Sequence, residues 1–345
     1  MSSRQWWRKD SFAAKAPYLK ARDAILRETR RYFESADFTE VETPALQASP
    51  GLEVHLRAFV TTLEEPGEPS RAMFLHTSPE FAMKKLLAAG VPRLFQLAHV
   101  FRNRERGATH HPEFSMLEWY RAGATYRELM IDCRRLFALV LAAAGRKTFT
   151  WRGRECDPNA PWQEIGVAEA FGKYCGIDLL ATAPDPENPS LDRLARAARE
   201  TGISPHPGDD WEDLFFRIFL EKIEPLLGLD APTILYDYPV AMAGLARPKP
   251  EDARLAERFE IYVAGLEIAN GFSELTDAAE QRRRFERDRA RRRARYGEAY
   301  PIDEDFLAAL ATMRESAGIA LGFDRLVMVA SGATRIEDVL WVPVA

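Results

Sequence analysis

The most informative stretch of this sequence is residues 101–120, Phe-Arg-Asn-Arg-Glu-Arg-Gly-Ala-Thr-His-His-Pro-Glu-Phe-Ser-Met-Leu-Glu-Trp-Tyr. It joins two predicted strands, residues 93–102 and 113–120, through a polar loop at 103–112. Successive side chains of a strand alternate between its two faces. One face of the second strand therefore carries a carboxylate and a phenol beside large apolar groups, a combination that suits an ammonium group on an aliphatic stem: Phe114, Met116, Glu118 and Tyr120.

Arg102 ends the outgoing strand of this hairpin. Its planar guanidinium can make two parallel hydrogen bonds to a phosphate or a carboxylate. The alternative interpretation is a solvated hairpin that carries charges by chance, since arginine-rich loops are common on protein surfaces. The hairpin by itself leaves both interpretations open.

A second pattern lies near the C-terminus, in the run from Gly318 to Arg325. Strand alternation places Gly318, Ala320 and Gly322 on one face, where a planar base or a substrate backbone can lie against a floor without bulky side chains. Arg325 then enters a helix-like run at 324–330, near a helix N-terminus that favours anions. Close packing of strand against helix would explain the glycines but not the arginine.

Two acidic features complete the candidate site. Glu267 and Glu274 bracket a predicted turn at residues 270–271, and carboxylates that converge across a turn are suitable ligands for Mg²⁺ bound with phosphates. Ser78, Pro79 and Glu80 precede a helical run at 81–89, so Glu80 is either a positioned carboxylate or a partner of the helix dipole.

Composition limits the class of protein. The chain has 345 residues, of which 46% are apolar and 29% charged, as in ordinary globular enzymes. Its 47 basic and 52 acidic residues give a net charge of −5, so no global basic field attracts nucleic acid. The longest apolar run, 136–145, is too short for a membrane span, and the N-terminus lacks the apolar segment of a signal peptide. The sequence predicts a cytoplasmic protein.

The chain also lacks common cofactor motifs. No phosphate-binding loop of the GxxxxGK type and no GxGxxG motif is present, so any nucleotide must be held by side chains. The three cysteines are widely spaced without a CxxC pair, which argues against zinc and against a disulfide framework.

A helix at 18–33, a strand at 39–43 that ends at Pro44, and the strands above indicate an α+β fold. We expect a single domain over 1–345, with proline-rich surface insertions around 181–210. The order of helix, proline-ended strand, Arg102 hairpin and glycine strand with Arg325 resembles the three signature motifs of class II aminoacyl-tRNA synthetases. Within that class the residues at 78–80, 111–120 and 271–277 resemble the lysyl branch.

The resemblance implies a class II catalytic domain, with a mainly antiparallel sheet flanked by helices and a homodimeric assembly. An anticodon-binding domain needs roughly 100 residues, but Pro44 is reached after 43, and Arg325 lies 20 residues from the end. We therefore expect no anticodon-binding domain and no tRNA substrate. The chain is most similar to truncated lysyl-tRNA synthetase paralogues that modify translation elongation factor P with (R)-β-lysine. Ala320 agrees, because these paralogues have alanine where lysyl synthetases have glycine.

By this resemblance the protein adenylates (R)-β-lysine, or α-lysine, with ATP and Mg²⁺ and transfers it to a lysine of elongation factor P. Arg102 and Arg325 would be catalytic, and Glu267 and Glu274 would bind the metal. Substrate-binding positions would be Ser78, Pro79, Glu80, Glu118, Tyr120 and Glu274. ATP-binding positions would be Arg102, Asn103, Arg104, His111, Glu267, Ile268, Gly322 and Arg325.

Two positions depart from the family pattern. Arg104 stands where glutamate commonly meets the adenine amine, so that Glu105 or a backbone carbonyl would have to substitute. His111 replaces an asparagine, although an imidazole can still donate one hydrogen bond. A pseudo-synthetase that only binds ligands is one alternative that these changes leave open.

An enzyme that acts on RNA is the other alternative, and it would use the run 280–295, with nine arginines and three acidic residues. This run is either a solvated helix face or a docking surface for an acidic partner, elongation factor P or RNA.

Overall fold

The computed structural model of the protein describes residues 5–344. The strands are β1 (Thr39–Glu40), β2 (Leu46–Gln47), β3 (Phe59–Leu63), β4 (Arg71–Leu75), β5 (Arg93–Phe101), β6 (Glu113–Ala122), β7 (Phe149–Trp151), β8 (Arg154–Cys156), β9 (Gln163–Gly166), β10 (Thr233–Pro239), β11 (Leu255–Val263), β12 (Leu266–Ser273) and β13 (Ser316–Gly322). The α-helices are α1 (Lys9–Ser35), α2 (Glu80–Ala88), α3 (Tyr126–Ala143), α4 (Val167–Cys175), α5 (Leu191–Glu200), α6 (Trp211–Ile218), α7 (Ala278–Tyr296), α8 (Glu304–Leu310) and α9 (Phe323–Ser331).

One large sheet organises the molecule, with the strand order β1-β5-β6-β13-β12-β11-β10-β9. The strands from β5 to β10 pair antiparallel, while β1 and β9 add parallel at the two edges. Helices cover this sheet, so the predicted α+β fold with a mainly antiparallel sheet is confirmed. The class II resemblance correctly indicated the architecture.

The two faces of the sheet have different roles. Leu117 and Trp119 of β6, and Ile319 and Leu321 of β13, point into the main core and are almost completely buried. Helices α1, α3 and α9 contribute the rest of this core, where Phe33 stacks on Phe95 with ring centroids 4.6 Å apart. The opposite face of β6, β13 and β12 is therefore free to form a site.

The first helix and the first strand differ from their predicted bounds. Helix α1 extends from Lys9 to Ser35 instead of covering only 18–33. The predicted strand at 39–43 is shorter, since only Thr39–Glu40 pairs with β5. The Val41 N–H still donates to the Phe95 carbonyl at 2.9 Å, and the pairing ends before Pro44, which has no N–H group to extend a ladder. Within residues 5–344, no helix is long and apolar enough to span a membrane.

Helices α4, α5 and α6 form a second apolar core on the β9–β10 edge of the sheet. The proline-rich segments predicted as surface insertions flank α5, whose Leu194 and Ala198 are buried in this core together with Trp211 and Phe215 of α6. The region around 181–210 thus contains a packed helix between its two proline-rich segments.

The arginine-rich run lies on α7, and acidic side chains of the same chain neutralise most of its charge. Arg291 pairs with Asp210 and Glu212 at 2.7 and 2.8 Å, and Arg295 pairs with Asp213 at 2.8 Å. These three acids lie at the start of α6, so α7 fastens the second core to the rest of the molecule. The run is therefore more than a solvated face, and it has less free charge for docking than its composition indicates.

Arg284 of α7 provides a test of this structural role. It is 4% exposed and donates to the carbonyl oxygens of Gly244 and Ala246 at 3.0 and 2.9 Å, while Glu280 accepts from its Nε. We expect Arg284→Met to lower the free energy of unfolding by about 3 kcal/mol, because buried acceptors lose their donor. Urea unfolding measures the effect. Arg293→Ala, on the exposed side of α7, is the matched control and should change stability by less than about 0.5 kcal/mol.

Candidate active site

The predicted site residues that belong to strands lie together on the free face of the sheet, on the adjacent strands β6, β13 and β12. Ala320 of β13 lies between Glu118 of β6 and Asn270 of β12, and Gly318 lies opposite Tyr120. Strand pairing thus joins segments that are 200 residues apart in sequence. Helix α2 adds Glu80 at one end of this face, and α9 adds Arg325 at the other.

Glu118 lies at the closed end of the site with its side chain fully buried. Ser78 Oγ donates to one carboxylate oxygen at 2.6 Å, and the Tyr120 hydroxyl donates to the other at 2.8 Å. Burial, reinforced by the charge of Glu80, raises the pKa of the Glu118 carboxyl to about 8 in spite of both hydrogen bonds. The ionised carboxylate of Glu118 is therefore stabilised when a bound cation takes the place of its proton.

Lys84 is a site residue that the sequence analysis missed. Its ammonium is 1% exposed and lies 2.5 Å from Glu80 Oε1 and 2.5 Å from Glu274 Oε2, above the ring of Phe272. The available signal was its position four residues after Glu80, on the same face of α2. Burial raises the pKa of Glu274 to about 8, and Lys84 opposes that rise.

The resulting charge balance is specific. Glu80, Glu118 and Glu274 supply three carboxylates, and Lys84 supplies one compensating ammonium. When all are ionised, two negative charges remain uncompensated in a buried environment. Such a pocket favours a ligand that carries two ammonium groups, because burial of unpaired charge is costly.

Gly318 forms the floor of this pocket. A Cβ atom there would collide with the ring of Tyr120 and lie 2.5 Å from Glu274 Oε1. Glycine is therefore required by the close approach of Tyr120 and Glu274, and the glycine floor predicted from strand alternation has a physical reason.

Beside the carboxylate pocket is a cavity of about 320 Å³. Its lining includes most of the positions predicted to bind ATP, and it adds Glu105 from the hairpin loop. Asn103 and Arg104 are absent from the lining; Arg104 has a φ of +69° and is exposed. Of the two substitutes considered for the adenine contact, Glu105 lines the cavity. The predicted lining residues are Arg102, His111, Glu267, Ile268, Gly322 and Arg325.

Two arginines give the cavity its positive charge. Arg102 lies 5.2 Å above the Phe114 ring, and its buried Nε has no hydrogen-bond partner. Arg325, in the first turn of α9, donates to the Glu267 carbonyl at 3.0 Å and contacts His110 Nε2 at 2.7 Å. Both guanidinium groups face the cavity, so the arrangement can hold the phosphates of a nucleotide.

The turn predicted at residues 270–271 is wrong, because both lie inside strand β12. The reversal instead occurs at Ala264–Gly265, between β11 and β12. Glu267 and Glu274 therefore lie near opposite ends of one strand, and seven residues of strand span about 20 Å. One metal ion cannot contact both carboxylates. Glu274 belongs to the carboxylate pocket and Glu267 to the nucleotide cavity.

Glu260 is the acidic neighbour of Glu267 that the sequence analysis missed. Glu267 pairs with Tyr262 across the β11–β12 ladder, and Glu260 lies two residues along the same face. Desolvation and the charge of Glu260 raise the pKa of Glu267. Glu260 itself accepts hydrogen bonds from Arg258 at 2.7 Å and Tyr262 at 2.6 Å. Glu267 thus fits the role of one carboxylate ligand of a Mg²⁺ ion that also binds phosphate oxygens. Glu260, beside it, is the second carboxylate available to the ion.

His111 cannot make the hydrogen bond to ATP expected of its ring. It is 1% exposed; Nδ1 donates to the Glu113 carbonyl at 2.6 Å, and Nε2 accepts from the Val344 N–H at 3.2 Å. Both ring nitrogens are therefore used by backbone groups. His111 ties the C-terminal segment to the hairpin, and the nearby His110 is the imidazole that contacts Arg325.

Comparisons with known proteins agree with this geometry. The family model described as tRNA synthetases class II (D, K and N) matches residues 8–345. The elongation factor P–(R)-β-lysine ligase of Salmonella arizonae is 40% identical over 332 residues, 95% of each chain. The ligase of that name from Haemophilus influenzae is 40% identical over 324 residues, 93% of each chain. The chain therefore belongs to the class II tRNA synthetase family and, within it, to the group of elongation factor P–(R)-β-lysine ligases.

Proposed function

We propose that this protein is an ATP-dependent ligase that adenylates (R)-β-lysine and transfers it to a lysine side chain of translation elongation factor P. The observation that carries the proposal is a pocket of three carboxylates and one buried lysine beside an arginine-lined cavity, in a chain 40% identical to ligases of that name. The excess of two negative charges matches the β- and ε-ammonium groups of β-lysine.

In the first step, the carboxylate of the amino acid attacks the α-phosphorus of ATP, and pyrophosphate leaves. Glu118, Glu80 and Glu274 hold the two ammonium groups, and this fixes the carboxylate at the mouth of the nucleotide cavity. Arg102 and Arg325 stabilise the negative charge that develops on the α-phosphoryl oxygens. Neither arginine needs to move far, because Phe114 and the backbone of Glu267 already hold them.

Mg²⁺ would neutralise phosphate charge when it is bound, and we assign its carboxylate ligand to Glu267 with Glu260 beside it. Among residues 5–344 there is no group of three or more histidine, cysteine, aspartate or glutamate side chains that could hold a metal. Glu267 and Glu260 alone are too few to form a complete metal site, so they fit an ion that reaches the site together with phosphates.

In the second step, the acceptor lysine displaces AMP from the acyl carbon and leaves an amide. Ala320 contributes a methyl group on the floor between Glu118 and Asn270. By the family resemblance, an alanine at this position goes with acceptance of the β-amino isomer. We retain the homodimer as part of the proposal, and sedimentation velocity at micromolar concentration tests it.

ATP–pyrophosphate exchange tests the function directly. We expect exchange with (R)-β-lysine to exceed exchange with α-lysine, and both to exceed exchange with norleucine, which lacks the ε-ammonium. Addition of elongation factor P should then increase its mass by one lysyl residue. Equal exchange with norleucine, or no exchange by folded protein with Mg²⁺ present, would refute the assignment.

A further inference from the structure

Glu53 lies where the two parts of the site meet. Its side chain lines the small pocket that contains Ser78, Pro79 and Glu80, and it also lines the nucleotide cavity that contains Arg102. The small pocket shares Ser78 and Glu80 with the carboxylate pocket, so Glu53 lies on the wall between the residues assigned to the ammonium groups and those assigned to the phosphates. In the proposed reaction the acyl carbon of the adenylate passes between these two sets of residues, on the side where Glu53 lies.

The carboxylate of Glu53 is available for chemistry. In the part of the chain that the structure describes, it forms no ion pair or hydrogen bond with another side chain, whereas Glu118 and Glu274 are engaged within the carboxylate pocket. The residue is also exposed, so a protein substrate can reach it from solvent. A carboxylate buried in the carboxylate pocket could not be reached from solvent by an incoming lysine.

The loop that carries Glu53 is held firmly. Arg292 of α7, which is 1% exposed and lies 3.9 Å from the Tyr300 ring centre, donates to the carbonyl oxygens of Val54 and Leu56 at 2.8 and 2.7 Å. Gly51, with a φ of +109°, lets the carboxylate fold inward, since a Cβ there would lie 2.6 Å from Glu53 Oε2. The backbone thus directs this carboxylate to the junction.

The charges around Glu53 suit proton transfer. The walls of the cleft remove part of the water around the Glu53 carboxyl, although its side chain remains exposed; this desolvation, followed by the charge of Glu80, raises the pKa of Glu53, and Asp288 acts in the same direction. Its own backbone N–H and Arg102 act in the opposite direction. A carboxylate with a raised pKa is a better proton acceptor, because the pKa of an effective general base lies near the working pH.

We propose that Glu53 is the general base of the transfer step and accepts a proton from the ε-ammonium of the acceptor lysine. The neutral nitrogen then attacks the acyl carbon of the adenylate and forms the C–N bond. The bond from that carbon to the phosphate oxygen breaks, its electron pair leaves with AMP, and the second nitrogen-bound proton passes to the AMP phosphate. The role rests on the proposed function, because it requires the adenylate to form.

Glu53→Gln separates the two steps. We expect the variant to keep wild-type ATP–pyrophosphate exchange with (R)-β-lysine and to transfer the amino acid to elongation factor P about 100-fold more slowly at pH 7.5. Its transfer rate should rise steeply with pH, because water must then deprotonate the lysine. Hydroxylamine is already neutral at pH 7.5, so it should trap the adenylate equally fast in both proteins. Glu53→Asp should recover part of the transfer rate.

Glu64→Gln, an exposed glutamate at the end of β3, is the matched control and should change neither step. Wild-type transfer by Glu53→Gln would overturn the proposal, as would slow trapping by hydroxylamine or a loss of exchange in this variant. An absence of exchange in the wild-type protein would refute the proposed function itself, and with it this role.

Discussion

Arg325→Ala should slow ATP–pyrophosphate exchange by about 10²- to 10³-fold, the effect typical of removing one preorganised donor from a developing oxyanion. Arg325 is held by the Glu267 carbonyl and by His110 before any nucleotide binds, so its guanidinium requires little reorganisation. The loss should appear mainly in kcat, because the charge on the α-phosphoryl group is largest in the transition state.

The comparison variant for this experiment is Arg335→Ala. Arg335 lies ten residues further along the chain, and its side chain is 58% exposed in a surface pair with Glu337. This substitution should leave exchange unchanged. Arg325→Lys should recover only a small part of the rate, because an ammonium cannot form two parallel hydrogen bonds to a phosphoryl group. Equal activities of Arg325→Ala and Arg335→Ala would rule out the assigned role.

Glu118→Gln should weaken (R)-β-lysine binding by about 100-fold or more and leave the KM for ATP nearly unchanged. Removing one partner of a buried charge pair typically costs about 2–5 kcal/mol. Calorimetric titration of the amino acid and exchange kinetics with varied ATP measure the two effects separately. Glu113→Gln is the matched control, since Glu113 lies on the same strand, β6, but pairs with His99 on the surface.

The same variant should be more stable than the wild type without substrate. A raised folded-state pKa means that the folded Glu118 carboxyl keeps its proton up to about pH 8, while the unfolded one loses it near pH 4.5. The folded state therefore binds more protons in this window, and stability decreases as pH rises from 4.5 to 8. Glu118→Gln should raise the Tm at pH 8, and the gain should vanish below pH 4.5.

The affinity of the wild-type protein for the amino acid should increase with pH, whereas its stability without substrate decreases. Glu118 and Glu274 must lose protons to pair with ammonium groups, so binding should strengthen as pH rises towards 8. The Glu118→Gln variant should show a weaker pH dependence. Affinity that falls between pH 6 and 8 would contradict the assignment of these carboxylates to the ammonium groups.

Much of the site was predictable because strand alternation depends on local geometry. The alternation of Glu118 and Tyr120 on β6 and of Gly318 and Ala320 on β13 needs only the pleat of each strand. The α+β class and the approximate strand positions followed in the same way. The combination of these residues into one site still depended on the resemblance to a known family, since no single motif excluded a solvated surface.

The errors occurred where a side chain or turn depends on distant partners. Asn-Gly is a common turn signal, but here both residues lie inside β12, because β11 and β13 pair with them on either side. His111 was expected to contact ATP, yet Glu113 and Val344 occupy both of its nitrogens. The arginines of α7 left two interpretations open, a solvated helix face or a docking surface, and their ion pairs with acidic residues 80 positions away show a packing role that neither interpretation included.

The order of residue types along this chain was sufficient to indicate the sheet, its free face and the chemical groups on that face. It could not indicate the net charge of the carboxylate pocket, because Lys84 enters it from α2 and pairs with Glu274 across 190 residues. Nor could it single out Glu53, a lone acidic residue in a loop that Arg292 holds at the junction of two pockets. Local backbone geometry extends over a few residues, whereas charge balance and proton acceptance depend on every group that packing brings within a few ångströms.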